Sequence, residues 1–179
     1  MPVDRQELQE RARRVRLLLL DVDGVLTDGT VSIDSSGGES KPFFIRDGIS
    51  LIWARRAGLT VGLLSGRTSA TTTRRAAELG IPIVSQGGSD KRAGYADILA
   101  TYGYADDEVA YMADDVLDLP VLGRAGLSAA PADAVDDVRS RVHWVSRHGG
   151  GRGAVRELVE VVLQAQGHWQ GIVDAFLQP

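Results

Sequence analysis

The chain has 179 residues, 44% of them hydrophobic, and carries 24 acidic against 20 basic side chains for a formal net charge of -4. This composition suits a single buried core over residues 1–179 and excludes a general nucleic-acid binder. Cysteine is absent, which removes disulfides and thiolate metal sites; no apolar run is long enough to span a bilayer and the segment after Met1 is polar, so a cytoplasmic protein without membrane partners is expected.

In chain order, the basic cluster "RARRVR" (11–16) predicts the solvated face of a short N-terminal helix. The run "VRLLLLDV" (15–22) predicts a buried first strand. From Gly29 to Arg46, Val31 and Ile33 alternate, a Ser-Ser-Gly-Gly turn follows, and Phe43 and Ile45 alternate again, which predicts a protruding hairpin over about 29–46 with an apolar face. Such a ribbon is read equally as a plain surface flap or as an assembly or substrate-covering element; its apolar face favours burial against another subunit. Helices are predicted over "DGISLIWARRAG" (47–58), "SATTTRRAAELG" (69–80) and "DKRAGYADILATYG" (90–103), each ending on a glycine: Gly58, Gly80 and Gly103. Strands are predicted over "LTVGLLSG" (59–66), "IPIVSQG" (81–87) and "EVAYMADD" (108–115), with two shorter ones in "AGLSAAP" and "RVHWVS". "GAVRELVEVVLQAQ" closes the pattern as a helix, and after it Trp169, Ile172, Val173, Phe176 and Leu177 fall at helical spacing, a packing face in a C-terminal extension over about 167–179. The fold class is α/β: a doubly wound, Rossmann-like parallel sheet with helices on both faces and ligands at the carboxyl ends of its strands.

Four polar signals fall at those strand ends. Asp21 and Asp23, two apart in extended chain, leave the first strand on one side; Ser65 ends the second; Lys91 follows the third; Asp114, Asp115 and Asp118 follow the fourth. Taken singly, Ser65 could be a helix N-cap, Lys91 a solvated lysine and the acids turn residues. Their ordered recurrence at four strand ends points instead to one shared site. His143, His148 and His168 show no ligand spacing, and no GxxxxGK loop is present, so neither zinc nor nucleotide-driven chemistry is indicated.

"DVDGVLTDG", "LLSGR", "DK" and "DDVLD", in this order, resemble the four motifs of the haloacid dehalogenase superfamily of phosphohydrolases. With "FFIRDG", "SQGGSDK", "GLSAAPADA" and the "GGGRGAVREL" tail added, the chain from about Val15 to Gln166 resembles the 3-deoxy-D-manno-octulosonate 8-phosphate phosphatases and their relatives acting on nine-carbon sugar acid phosphates. The resemblance implies a capless magnesium-dependent phosphatase. Asp21 would be the nucleophile that forms an aspartyl-phosphate, and Asp23 the general acid and then base. Mg2+ would be held by Asp21, the backbone carbonyl of Asp23, and Asp114. Ser65 and Lys91 would bind the phosphoryl group, with Asp115 and Asp118 as supporting acids that orient metal-bound water and Lys91. Gly24, with Gly66, would let backbone N–H groups approach the phosphate, while Arg67 and Arg46 suit a sugar acid carboxylate and Arg152 and Arg156 an anion contact, with Arg46 read equally as a surface arginine and the glycine-rich tail as a linker into a helix. The expected ligand is a phosphorylated sugar acid, and the expected assembly is a homotetramer whose hairpins pack together while a neighbour closes the crevice.

Two departures stand out. Ala113 replaces the usual glycine before the last acid pair, where a methyl group threatens to crowd the metal loop, and Ile49-Ser50 stands where a bulky residue and then glycine are usual, which bears on the substrate. Two other classes compete. A signalling receiver domain would carry an adjacent acid pair on its first strand, not a spaced one. A non-catalytic relative that binds a phosphometabolite or acts as a scaffold is opposed by the full set Asp21, Asp23, Ser65, Lys91 and Asp114.

Overall fold

A computed structural model describes residues 2–88 and 90–177. In chain order it contains α1 (Arg5–Arg14), β1 (Leu17–Leu20), β2 (Ser32–Ile33), β3 (Glu39–Ser40), α2 (Ile45–Arg56), β4 (Thr60–Ser65), α3 (Ala70–Leu79), β5 (Ile83–Gln86), α4 (Lys91–Tyr102), β6 (Val109–Met112), α5 (Leu119–Leu122), β7 (Leu127–Ala130), α6 (Asp136–Arg139), β8 (Trp144–Val145), α7 (Ala154–Ala165) and α8 (Trp169–Ala175). Six strands pair in parallel in the order β5-β4-β1-β6-β7-β8, and β2-β3 form a separate antiparallel ribbon. No helix among the described residues is long and apolar enough to cross a membrane.

The four leucines of β1 show why the sheet must be covered twice. Successive strand residues face opposite ways, so Leu18 and Leu20 enter one apolar cluster with side chains of α1, α2, α3 and α7, while Leu17 and Leu19 enter the other with those of α4, α5 and α6. An unbroken apolar strand is therefore satisfied only with helices on both faces. Helix ends follow from local chemistry: Asp4 caps α1 and Ser69 caps α3, each accepting a backbone N–H with its side chain, and Gly80 and Gly103 end α3 and α4 at φ +63° and +73°.

One expectation changes and two gain detail. The first helix starts six residues earlier than the basic cluster, because the Asp4 cap lies there. The hairpin is shorter than its pattern: β3 stops at Ser40, Ile45 opens α2, and Phe43 packs against the core rather than continuing the ribbon. The ribbon's only large apolar side chains are thus at its start, with Ile33 70% exposed. Finally, the extension folds back on its own chain, since Trp169 lies edge-on to Trp53 of α2 at 5.9 Å.

Candidate active site

The strand order places β1 between β4 and β6. The chain fills the β4-β5 side first and then crosses to β6, so the switch point, where flanking loops diverge and leave a crevice, falls beside β1. Asp21, Ser65, Lys91 and Asp114 line one open crevice there of about 580 Å³, together with Asp23, Gly66, Arg67, Asp115 and Asp118.

Asp21 is fixed from below. Its backbone N–H donates to the Met112 carbonyl of β6, one carboxylate oxygen accepts from the Val22 N–H at 2.7 Å, and the other lies 2.9 Å from Lys91 Nζ. Burial, then the nearby negative charge of Asp118, pushes the Asp21 carboxyl up to about 7 in spite of Lys91. Burial also works against the Lys91 charge, but Asp21 and Asp118 together outweigh it and hold the ammonium above its ordinary value. Asp118, 1% exposed, accepts from Lys91 Nζ at 2.6 Å and from the Tyr111 hydroxyl of β6 at 2.5 Å. Tyr111 gives no motif signal: its place in an apolar strand marks it only as core.

Asp114 meets the turn after β1 at close quarters. A Cβ on Gly24, whose φ is +87°, would fall 2.0 Å from an Asp114 carboxylate oxygen, so the turn and the acid can share this space only with glycine. Behind the turn lies the glycine-rich tail. The Gly151 N–H donates to the Val25 carbonyl at 2.9 Å, and a Cβ on Gly150 would fall 1.9 Å from the Gly24 carbonyl oxygen. Asp47 of α2 pins the start of α7 by accepting from the Gly153 and Arg156 N–H groups, and burial pushes its carboxyl up to about 6.

Asp23 is held differently. Its Oδ1 accepts from Lys41 Nζ at 2.7 Å, with the Lys41 side chain fully buried and Asp23 21% exposed. Glu39 lies 3.6 Å from Lys41, accepts from the Ser69 hydroxyl at 2.6 Å and pairs with Arg67 at 2.7 Å. The base of the hairpin thus ties the turn carrying Asp23 to the turn after Ser65. Sequence reasoning missed Lys41 and Glu39, although a signal existed: Lys41 and Lys91 are the only lysines in the chain.

Other residues land as follows. Ser65 is buried, its hydroxyl accepting from the Arg67 N–H at 3.2 Å; the cap of α3 is Ser69, so Ser65 is not the N-cap. Asp115 is exposed and accepts from the Val116 N–H. Three of the four arginines stay out of the crevice wall. Arg46 is exposed in the first turn of α2, Arg152 is 71% exposed and lies 3.5 Å from Asp28, and the Arg156 guanidinium stacks over Trp53 and Trp169 at 4.4 and 5.1 Å. Of these four arginines, Arg67 alone is among the described residues that line the crevice. The Ala113 methyl joins the buried apolar cluster under the α4 face. Ser50 sits inside α2 with its hydroxyl donating to the Asp47 carbonyl.

The acid cluster suits a hard divalent cation. Oxygen atoms from Asp21, Asp114 and Asp118 lie within 4.8 Å of one another. Burial, then Asp118 and Asp115, also pushes Asp114 up to about 6. Carboxylates held this close and driven toward protonation are stabilised by positive charge, and an all-oxygen set suits magnesium. Within this set Asp118 is engaged by Lys91 and Tyr111 through one oxygen, and Asp21 by Val22 and Lys91 through its two oxygens.

No family model matches the chain. Among characterised proteins it is 42% identical over 157 residues to the 3-deoxy-D-manno-octulosonate 8-phosphate phosphatase KdsC of Escherichia coli (strain K12), covering 88% of this chain and 84% of that one. Among solved structures, the 3-deoxy-D-manno-octulosonate 8-phosphate phosphatase from Yersinia pestis superposes with a TM-score of 0.91 at 40% identity, covering 92% of this chain and 89% of that one. The Moraxella catarrhalis enzyme of the same name, in complex with magnesium ion, phosphate ion and KDO, gives 0.94 at 32% identity, covering 97% and 99%. The motif order, the crevice at the switch point and these likenesses over nearly the full length agree: the chain belongs to the 3-deoxy-D-manno-octulosonate 8-phosphate phosphatase family of the haloacid dehalogenase superfamily.

Proposed function

We infer that the chain is a magnesium-dependent phosphomonoesterase that acts through an aspartyl-phosphate on 3-deoxy-D-manno-octulosonate 8-phosphate. The observation that carries this reading is the convergence of Asp21, Ser65, Lys91 and Asp114, from the ends of separate strands, on one crevice. Family membership supplies the substrate class.

An Asp21 oxygen attacks phosphorus as the bond to the sugar oxygen breaks, and Asp23 gives its proton to the departing alkoxide. Asp23 then takes a proton from a water that attacks the acyl phosphate, which releases inorganic phosphate and restores Asp21. Lys91, 2.9 Å from Asp21, places positive charge where the phosphoryl oxygens gather, and the Ser65 hydroxyl donates to one of them. Asp21, Asp114 and the Asp23 backbone carbonyl would hold magnesium, which when bound would supply the charge that offsets repulsion between carboxylate and phosphate. Asp118 holds Lys91 in place and Arg67 at the crevice wall meets the sugar acid carboxylate.

Four copies are inferred to assemble through the hairpins. Ile33 on the ribbon and Leu117 at the crevice, 70% and 72% exposed in the single chain, support an apolar contact there.

Phosphate release from 3-deoxy-D-manno-octulosonate 8-phosphate, with and without magnesium, tests the function. Turnover is expected only with the metal, and Asp21→Asn is expected to lower it by roughly 10^4-fold or more, the scale of removing a covalent nucleophile. Activity that persists in that variant overturns the nucleophile; magnesium-dependent turnover of neutral sugar phosphates alone overturns the substrate.

A further inference from the structure

The chain has 20 basic residues and only two are lysines. Both are buried, and each grips one acid of the turn after β1: Lys91 Nζ lies 2.9 Å from Asp21 and Lys41 Nζ lies 2.7 Å from Asp23. Lys91 has a part in the reaction described above. Lys41 has none, and with no exposed side-chain surface it cannot reach a substrate.

We propose that Lys41 is a positioning residue for Asp23, clamping Oδ1 so that the other carboxylate oxygen is the one presented to the leaving group. The proposal rests on the reading of Asp23 as acid and base. A carboxylate on a partly exposed turn rotates broadly about its last bond, whereas proton transfer needs one oxygen held within a narrow range of the reacting atom. The choice of side chain fits this task. An ammonium is a point charge that binds one oxygen, while a guanidinium fork takes both oxygens of a carboxylate. Lysine therefore leaves Asp23 an oxygen for chemistry, in a chain that uses arginine for its 18 other basic positions.

Glu39 holds Lys41 in turn. It lies 3.6 Å from the ammonium and is itself anchored to Ser69 and Arg67, in the turn that follows Ser65. The path Asp23, Lys41, Glu39, Ser69 spans the crevice rim from the β1 turn to the β4 turn, so docking of the hairpin base sets the aim of the acid. This gives the ribbon a function within its own chain.

Lys41→Met separates positioning from folding, because Asp23 keeps access to water and Glu39 keeps Arg67 and Ser69. With the alkyl leaving group of 3-deoxy-D-manno-octulosonate 8-phosphate, kcat is expected to fall about 10²-fold, the cost of misplaced reacting groups. The first turnover of p-nitrophenyl phosphate, whose leaving group needs no proton, is expected to stay within about twofold of the parent. Asp23→Asn, run in parallel, is expected to show the same split. If Asp23→Asn separates the two leaving groups and Lys41→Met slows both alike or neither, Lys41 does not aim the acid and the proposal is overturned. If Asp23→Asn shows no split, the acid–base reading fails and takes the proposal with it. Side-chain NMR of the protein labelled with [15N]lysine gives a readout apart from activity and needs no folded Lys41→Met. Two ammonium signals are expected; Asp23→Asn should move the Lys41 signal and leave that of Lys91, and a Lys41 signal indifferent to Asp23→Asn overturns the proposal.

Discussion

Asp21 and Asp23 stand two residues apart, yet their surroundings differ in kind. Asp21 is held by the floor of the sheet: Met112 of β6 fixes its backbone, and Lys91, Asp118 and Tyr111, all buried, fix its charge. Asp23 is held by the foot of a ribbon whose paired strands are two residues each and whose upper part is exposed. The difference matches the two tasks proposed for them. A nucleophile gains from low dielectric and fixed geometry, whereas a group that exchanges protons with leaving group and water must stay accessible on one side. The core therefore grips one acid from below and an exposed element grips the other from the flank.

Breaking the floor should have the larger consequences. Asp118→Asn removes the negative charge that helps hold Lys91, and turnover is expected to fall by about 10²-fold as Lys91 loses its aim. The sign of the accompanying titration follows from the charges: burial and Asp118 both favour protonated Asp21, so deleting the Asp118 charge moves the Asp21 carboxyl below about 7. Carbonyl-carbon NMR titration of the metal-free variant checks this, and an Asp21 midpoint that stays in place or rises would break the account of the floor. Tyr111→Phe acts one step further back. It deprives the buried Asp118 carboxylate of a donor, with an expected loss of about 1.5–3 kcal/mol in denaturant unfolding; unchanged stability would mean the hydroxyl holds nothing.

The ribbon end of the comparison predicts the smallest effect on the single chain. Ile33→Ser, at a residue 70% exposed, should change unfolding stability by no more than about 0.5 kcal/mol. The inferred tetramer makes a separate demand on the same residue: light scattering should report four chains for the parent and fewer for Ile33→Ser. A parent that is monomeric removes the assembly, and a large loss of single-chain stability would erase the contrast between floor and ribbon.

Much of this site is legible in the sequence because strand ends are. The run Leu17 to Leu20 must be a strand buried on both faces, its end must carry Asp21 and Asp23, and the β-α rhythm must bring Ser65, Lys91 and Asp114 to the same edge. Those placements follow from local periodicity and from a rule of parallel sheets, neither of which needs to know what touches what. The hairpin's length was less legible, since alternation at Phe43 and Ile45 continues past Ser40 while the chain has already turned into the core and α2.

What the sequence determined alone, then, was the fold class and the identity and order of the acids and of Lys91. Tertiary structure alone decided their partners: Tyr111 under Asp118, Lys41 against Asp23, and Gly150 pressed on the turn at Gly24. It also decided which arginine reaches the crevice, placing Arg67 in its wall and turning Arg156 onto two tryptophans. The reason is range. Periodicity and turn chemistry act over a few neighbouring residues, whereas a part-buried hydrogen bond between residues 23 and 41, or a contact between 24 and 150, exists only once packing has closed the chain on itself.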